Sequence, residues 1–144
     1  MEILKCARIP PVLAHPDMSV AEAVGMMAKD GVGAVVVINS NKNVRGIFTE
    51  RDNLLRVTHM NRDPNMTLLS AVMTSPVDTV SCDTSVEDAL WRMVRNRYRH
   101  LPVVDSTDRV VGIVSVRYLL MRRLSEQEAN LEVLDAYVQA GGPG

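Results

Sequence analysis

Apolar residues recur with helical spacing in two separate parts of the chain. After Ser19 and again after Ser85 they stand at the first position and three, four, seven and eight residues later. An acidic residue, Glu22 or Asp88, follows three residues after each serine, which is the capping-box pattern of a helix start. Two amphipathic helices with one buried face each are therefore predicted. The buried positions are expected to be Val20, Ala23, Val24, Met27, Ala28 and Val86, Ala89, Leu90, Met93, Val94.

Each predicted helix is followed by two short apolar runs that a polar turn separates. The first runs are residues 34–38 and 101–104, and the second runs read VRGIF and VVGIV. Apolar runs rich in β-branched residues around a polar turn predict a β-hairpin. A hydroxyl residue, Thr49 or Ser115, then stands where the N-cap of a second helix is expected. Each copy should therefore form a helix–strand–strand–helix unit, preceded by an extended segment.

The two copies align without a gap when the chain is shifted by 66 residues. Residues 17–54 then match residues 83–120 with 12 identities in 38 positions. A unit of about 50 residues buries too little surface for a good core, so the two units are expected to pack through their small sheets. The predicted fold class is α+β or α/β, with two pseudo-twofold-related units.

Four segments are expected along the chain: a first unit at 1–57, a polar link at 58–70, a second unit at 71–124, and a C-terminal helix and tail at 125–144. Ser125 and Glu128 repeat the capping-box pattern, so this last helix is predicted to begin at Ser125. It is expected to pack on the module or on a partner, through a face formed by Leu131, Leu134 and Val138.

Composition and charge narrow the function classes. Of 144 residues, 47% are hydrophobic and only 3% aromatic, and the net charge is −1. This is typical of a soluble globular protein and does not favour nucleic-acid binding, which needs basic patches and stacking side chains. No apolar run reaches the roughly 20 residues of a membrane span. Cys6 and Cys82 lack partners at ligand spacing, so we expect no metal site and a cytoplasmic location.

The repeated segments resemble a pair of cystathionine-β-synthase (CBS) domains, the tandem arrangement called a Bateman module. The resemblance rests on MTSPVDTVSCDTSVEDAL at 73–90, YRHLPVVD at 98–105 and GIFTERD at 46–52, and it covers about residues 6–123. It implies a sensor that binds adenine nucleotides or related adenosyl compounds between the two units, forms a disc-like homodimer and regulates another protein of unknown identity. No catalytic pair, metal cluster or phosphate-binding glycine loop is visible in the sequence, so an enzyme is not expected.

Thr49 and Asp52, in the phrase GIFTERD, are the first candidates for contact with a ligand. A hydroxyl at a helix start suits a phosphate, and a carboxylate three residues later offers two acceptors to a ribose diol. The alternative is that the two residues only cap a helix. The second copy has Ser115 and Tyr118 instead. A phenol cannot accept a diol through two bonds, so Tyr118 is expected to fill the corresponding cleft or to pack at an interface.

In related modules, basic residues at the start of the first strand reach the phosphate held by the other unit. Carried over by the resemblance, Arg99 and His100 would complete the site of Thr49 and Asp52. The reciprocal site, with Ser115 and Tyr118 facing Gly33 and Ala34, would lack both the acid and the cations. One competent and one degraded site are therefore expected. Residues proposed to line the adenine slot, or equally to form ordinary strand core, are Val32, Gly33, Ala34 and Ile47; weaker candidates are Arg51, Ser115 and Arg117.

The expected ligand is AMP, ADP, ATP or NAD(H), because one Arg and one His suit any number of phosphates. S-adenosylmethionine fits less well, since its cationic sulfonium would lie beside Arg99 and His100. Trp91, which replaces Gly25 of the first copy, could anchor the face of a homodimer. The alternative function is a module without a ligand that serves only as a dimerisation or docking scaffold.

Overall fold

The structure is a computed structural model that describes residues 2–139. Over this range the helices are α1 (Glu2–Lys5), α2 (Val20–Asp30), α3 (Glu50–Asp52), α4 (Leu69–Val72), α5 (Val86–Asn96) and α6 (Val116–Gln139), with a π-helical stretch at Asn53–Thr58 continuing α3. The strands are β1 (Leu13–Ala14), β2 (Ala34–Ile38), β3 (Val44–Thr49), β4 (Val80–Ser81), β5 (His100–Val104) and β6 (Val110–Ser115).

Two three-stranded sheets of the same design make up the centre of the fold. In each sheet a two-residue strand pairs in parallel with the first strand of an antiparallel hairpin, giving the orders β1-β2-β3 and β4-β5-β6. The hairpins have matching registers, with Ala34 opposite Thr49 in one and His100 opposite Ser115 in the other. The predicted fold class, two related helix–strand–strand–helix units, is therefore confirmed.

The predicted helix starts are present in both units. The Oγ atom of Ser19 accepts a hydrogen bond from the Glu22 N–H at 3.1 Å, and Ser85 does the same for Asp88 at 3.0 Å. In each predicted stripe, the first residue and the residues three and seven positions after it are buried. The last residue of the second stripe, Val94, is instead 61% exposed. At 100° per residue, a residue eight positions on lies at the edge of the stripe. Ala28 is exposed in the first unit for the same reason.

Strand β2 is buried on both faces because the two units pack sheet against sheet. Val35 and Val37 point to the core of their own unit, next to Val20 and Phe48. The alternate residues Ala34, Val36 and Ile38 instead contact the second unit, in a cluster completed by Ile47, Val110 and Ile113. The expectation that the units pack through their small sheets is confirmed.

The short helix that precedes each unit packs in the core of the other unit. Leu69 from α4 is fully buried among residues of the first unit, and Ile3 from α1 is fully buried among residues of the second. The segments that follow these helices cross in the same sense. Thr74 exchanges two backbone hydrogen bonds with Ile47, at 2.8 and 3.0 Å, and Arg8 pairs with Ile113. Each core is therefore assembled from both halves of the chain.

This crossing explains why both hairpins carry a glycine at the same register. A Cβ atom on Gly46 would lie 2.8 Å from the Thr74 carbonyl oxygen, and one on Gly112 would lie 3.2 Å from that of Arg8. A strand can approach another backbone this closely only where a side chain is missing. The two glycines therefore mark the places where the leading segments cross.

Helix α6 runs without a break from Val116 to Gln139, so the predicted helix start at Ser125 is wrong. The reason is local: this stretch contains neither Gly nor Pro, and a cap residue in a continuous run of helix formers starts nothing. Leu131 and Val138 are 65% and 71% exposed and pack on neither unit; the Leu134 side chain and the tail lie outside the described residues. The division into 1–57, 58–70, 71–124 and 125–144 stays a prediction.

Candidate functional site

Two cavities lie between the units at pseudo-twofold-related positions. The first, which we call the Asp52 cavity, has a volume of about 200 Å³ and combines the Thr49–Asp52 turn with the segment 97–100. The second, the Tyr118 cavity, has a volume of about 640 Å³ and combines Ser115 and Tyr118 with the segment 31–34. Each cavity therefore takes a helix start from one unit and a strand start from the other.

The Asp52 cavity contains most of the residues singled out from the sequence. Those that line it are Gly33, Ile47, Thr49, Arg51, Asp52, Arg99 and His100. Val32 and Ala34, expected in the same site, instead line the Tyr118 cavity, together with Ser115 and Arg117. The reason is the symmetry of the pair: the start of β2 faces the helix start of the second unit, and of residues 32–34 only Gly33 lines both cavities.

Asp52 is buried, with 7% of its surface exposed, and its carboxylate accepts three hydrogen bonds. Oδ2 accepts from the Thr49 N–H at 3.1 Å and from the Thr49 hydroxyl at 3.2 Å, while Oδ1 accepts from the Thr74 hydroxyl at 3.0 Å. The Asp52 N–H donates in return to Thr49 Oγ1, so the two residues form a capping box. A carboxylate offers about four acceptor positions, so Oδ1 keeps capacity for a further donor. Capping a helix and lining a cavity are thus compatible in this residue.

His100 and three arginines line the Asp52 cavity as potential cations. The side chains of Arg51, Arg97 and Arg99 are exposed, whereas His100 is largely buried. Burial lowers the pKa of His100 below its usual 6.5; Glu50 opposes this effect and Arg99 adds to it. The imidazole is therefore neutral at neutral pH, although it lies beside a cavity suited to an anion.

Arg97 is a cavity residue that sequence reasoning did not single out. It ends α5 in the left-handed conformation, with φ 59°, where the first unit has Gly31 with φ 65°. This conformation costs a residue with a side chain about 1–2 kcal/mol. The alignment of the two copies contains the signal that identifies this residue, because Arg97 corresponds to Gly31, which ends α2.

The crossing segment supplies further wall residues that the sequence did not point to, namely Thr74, Pro76 and Val77. Glu50 was also missed, and it lines both cavities together with Gly33 and His100. The Glu50 N–H donates to the Gly33 carbonyl at 3.0 Å. A side chain at Gly33 would collide with the Glu50 carboxylate, so the glycine allows this acid to fold back against the shared wall.

Tyr118 lines the second cavity but does not fill it, contrary to one expectation from the sequence. The residue is 49% exposed, and its N–H donates to Ser115 Oγ at 3.2 Å in an ordinary helix cap. The phenol at this helix position stands at the rim, so the cavity stays larger than its counterpart. The expectation that this second site lacks both an acid and cations is wrong, because Glu50, Arg8, Arg117 and His100 line it.

Two other site classes find no support within residues 2–139. No group of three or more His, Cys, Asp or Glu side chains there could hold a metal ion. None of the helices in this range is both long and apolar enough to cross a membrane.

Comparisons with known proteins agree with this architecture. A family model for the CBS domain matches residues 3–52 and again residues 69–125. The meiotically up-regulated gene 70 protein of Schizosaccharomyces pombe is 37% identical over 125 residues, which are 87% of this chain and 17% of that protein. The chain also spans only 58% and 63% of the next two curated relatives.

Solved structures share the fold over most of the chain. A protein with CBS domains from Burkholderia ambifaria MC40-6 superimposes with a TM-score of 0.75 at 29% identity, covering 85% of this chain and 87% of that one. The CBS domain pair of protein MJ0100, solved with 5′-methylthioadenosine and S-adenosyl-L-methionine, also gives a TM-score of 0.75, at 26% identity, with 86% and 94% covered.

Proposed function

Because this chain belongs to the CBS domain family, as a tandem pair of CBS domains, we propose that it is a regulatory module that binds an adenine nucleotide in the Asp52 cavity. The observation that carries the proposal is the joining, in one cavity, of a buried carboxylate from one unit with cationic side chains from the other. The adenosyl ligands of the MJ0100 pair support an adenosine-derived ligand for this fold.

The chemistry of the wall assigns a partner to each part of a nucleotide. The ribose hydroxyls donate to Asp52, whose Oδ1 atom has acceptor capacity left beside Thr74. The base packs among apolar wall residues, Ile47 and Val77, and the phosphate meets Arg97, Arg99 and His100. Charge-assisted hydrogen bonds from guanidinium groups to phosphate are stronger than neutral ones. AMP, ADP, ATP and NAD(H) all satisfy this division.

Such a ligand contacts both units, and this gives it a route to regulation. Asp52 belongs to the first unit and Arg99 to the second, so binding favours one relative position of the two. A ligand shifts a conformational equilibrium only by its difference in affinity for the two states. A regulated protein that contacts both units would then distinguish the bound form from the free form.

A scaffold without a ligand is the second candidate function, and one observation favours it. The Thr49 hydroxyl and both Asp52 oxygens already have partners within the protein. In this case Thr49 and Asp52 only cap the helix, and the module serves only for dimerisation or docking.

A thermal-shift screen with adenosine, AMP, ADP, ATP, NAD(H) and S-adenosylmethionine separates the two candidates, with GTP as the control for the base. A nucleotide at 100 times its dissociation constant should stabilise the fold by about 2.7 kcal/mol. A sensor requires a shift with at least one phosphorylated adenylate. Unchanged melting with all of them at millimolar concentration would leave only the scaffold.

Replacing Arg97 with glycine should stabilise the protein and weaken nucleotide binding at the same time. The glycine relieves the left-handed backbone, which is worth about 1 kcal/mol, while the cavity loses a guanidinium. Denaturant unfolding and calorimetric titration with AMP measure the two effects.

Lys42→Gly is the matched control for this variant. Lys42 also has a left-handed backbone, with φ 63°, but it lies in the β2–β3 turn and lines neither cavity. We expect it to raise stability without changing affinity. If Arg97→Gly binds AMP as tightly as Lys42→Gly does, Arg97 has no part in the site.

The proposed module is a homodimer that associates through its outer helices. Leu54 and Leu55 in the π-helical stretch are 60% and 47% exposed, and their counterparts 66 residues on, Leu120 and Met121, are 46% and 54% exposed. An apolar pair repeated at pseudo-twofold-related positions suits a partner with the same repeat, and a second copy of this chain is such a partner. Trp91 on α5 is 61% exposed, with Arg95 stacked over its ring at 5.6 Å.

Leu55→Asp combined with Met121→Asp is therefore expected to convert a dimer into a monomer. The added charges would lie in a desolvated interface without partners. Light scattering after size exclusion gives the mass. Met66→Asp, at a side chain that is 80% exposed in the link, should leave the dimer intact, and a doubly substituted protein of dimeric mass would rule out this face.

A further inference from the structure

His100 lies in the wall that separates the two cavities, and one of its ring nitrogens is buried without a hydrogen-bond partner. It begins β5 opposite Ser115 and lines both the Asp52 cavity and the Tyr118 cavity. Its Nδ1 atom is buried and has no hydrogen-bond partner anywhere in residues 2–139. A buried polar atom without a partner costs about 1–3 kcal/mol, so such an atom calls for a reason.

Charged and titratable groups from several elements line the two cavities that His100 separates. From the Asp52 side they are Arg51, Asp52, Arg97, Tyr98 and Arg99. From the Tyr118 side they are Cys6, Arg8, Arg117 and Tyr118, and Glu50 stands on both sides. Burial is the main reason that the free protein disfavours a second proton on His100 and that the pKa of its imidazole is lowered; Glu50 opposes this effect and Arg99 adds to it.

We propose that binding of a phosphorylated adenylate in the Asp52 cavity is coupled to uptake of a proton by His100. The inference rests on the proposed function, since it needs the phosphate beside this residue. A protonated imidazole is a cation that donates from both nitrogens, and a phosphate bound beside the ring adds negative charge that favours this protonated form. In the free protein the unpaired Nδ1 atom lowers stability, but it keeps the His100 imidazole available for protonation.

The sign of the coupling follows from the two states. In the free protein, burial holds the pKa of His100 below its usual 6.5, and a bound phosphate raises it. Between those two values binding takes up a proton, so affinity for AMP increases as the pH falls through this window. Adenosine carries no phosphate and should bind with the same affinity throughout. One pH unit inside the window changes the affinity by at most tenfold.

Calorimetric titration of the full chain with AMP, in buffers of different ionisation enthalpy, counts the protons taken up. His100→Gln removes the titrating ring and keeps a polar side chain. His59→Gln is the matched control, because His59 is exposed and lines neither cavity. The phosphate of AMP itself titrates near pH 6, and comparing the variants with the same ligand cancels this contribution.

Between about pH 7.5 and about pH 6, wild type and His59→Gln should gain about threefold to tenfold more affinity for AMP than His100→Gln does. Wild type and His59→Gln should also take up more protons on binding AMP than His100→Gln does. Equal uptake in all three proteins would overturn the inference and leave the proposed function standing. A lack of AMP binding at every pH would overturn the proposed function, and the inference with it.

A second measurement needs no ligand. Because the pKa of His100 is lowered in the folded state, the unfolded chain binds the proton more readily, and stability is lost as the pH falls below about 6.5. The free energy of unfolding of His100→Gln should depend less on pH in this window than that of wild type or His59→Gln. Identical pH profiles would contradict the inference, since the ring would then titrate as an exposed group.

Discussion

Replacing Leu69 with alanine is expected to lower the free energy of unfolding by about 2–5 kcal/mol. Leu69 is fully buried in the core of the first unit, although its helix α4 directly precedes the second unit along the chain. Ile3→Ala should cost a similar amount for the mirrored reason, because Ile3 is fully buried in the core of the second unit. Denaturant unfolding measures both losses.

The region that each variant destabilises shows which unit is stabilised by α4 and which by α1. Hydrogen exchange should accelerate in α2 and the β2–β3 hairpin for Leu69→Ala, and in α5 and the β5–β6 hairpin for Ile3→Ala. Met66→Ala, at the exposed side chain three residues before Leu69, should change stability by no more than about 0.5 kcal/mol. Faster exchange in α5 for Leu69→Ala would show that each leading helix serves the unit it precedes.

Replacing Asp52 with alanine should abolish the thermal shift that adenylates produce and also destabilise the free protein. The variant leaves the Thr49 N–H and the Thr74 hydroxyl without their acceptor, at a cost of about 1–3 kcal/mol. It also removes the only charged side chain that is buried within the described part of the chain. The loss of ribose contacts should weaken AMP binding by at least about tenfold, which is 1.4 kcal/mol.

Two further variants separate binding from stability in this test. Asp52→Asn keeps one acceptor for the cap, so its fold should be closer to wild type while its affinity for AMP stays low. Tyr118→Phe alters the equivalent position of the second unit, which is 49% exposed, and should change neither property. An Asp52→Asn protein that binds AMP like wild type would exclude the carboxylate as a ribose acceptor and would favour the scaffold.

The secondary structure was predictable because its determinants are local. Ser19 and Ser85 cap helices through backbone groups three residues away, and the hairpins follow from apolar runs beside polar turns. The same local rule failed at Ser125, where a capping pattern lies inside the continuous helix α6. A capping pattern marks a helix start only where the residues before it are not helical. The residues before Ser125 already form part of helix α6.

The candidate site was predictable partly from the repeat and partly from the resemblance to CBS domain pairs. The repeat singled out Thr49 and Asp52, and the resemblance implied that Arg99 and His100 of the other unit would join them. All four residues line one cavity. Thr74 was not predictable from the pattern, because it reaches Asp52 along a segment that crosses between the units.

The sequence by itself determined that this protein consists of two copies of one unit, where their helices begin, and that only the first copy carries an acid at the site position. Helix starts depend on residues within a few positions of each other, and the duplication is visible from aligning the two copies. Only the tertiary structure decided that α1 and α4 exchange cores, that Gly46 and Gly112 admit a crossing backbone, and that Val32 and Ala34 serve the Tyr118 cavity. The physical reason is that one unit alone is too small to bury its apolar face. Residues of the other unit cover that face, and they lie far away along the chain.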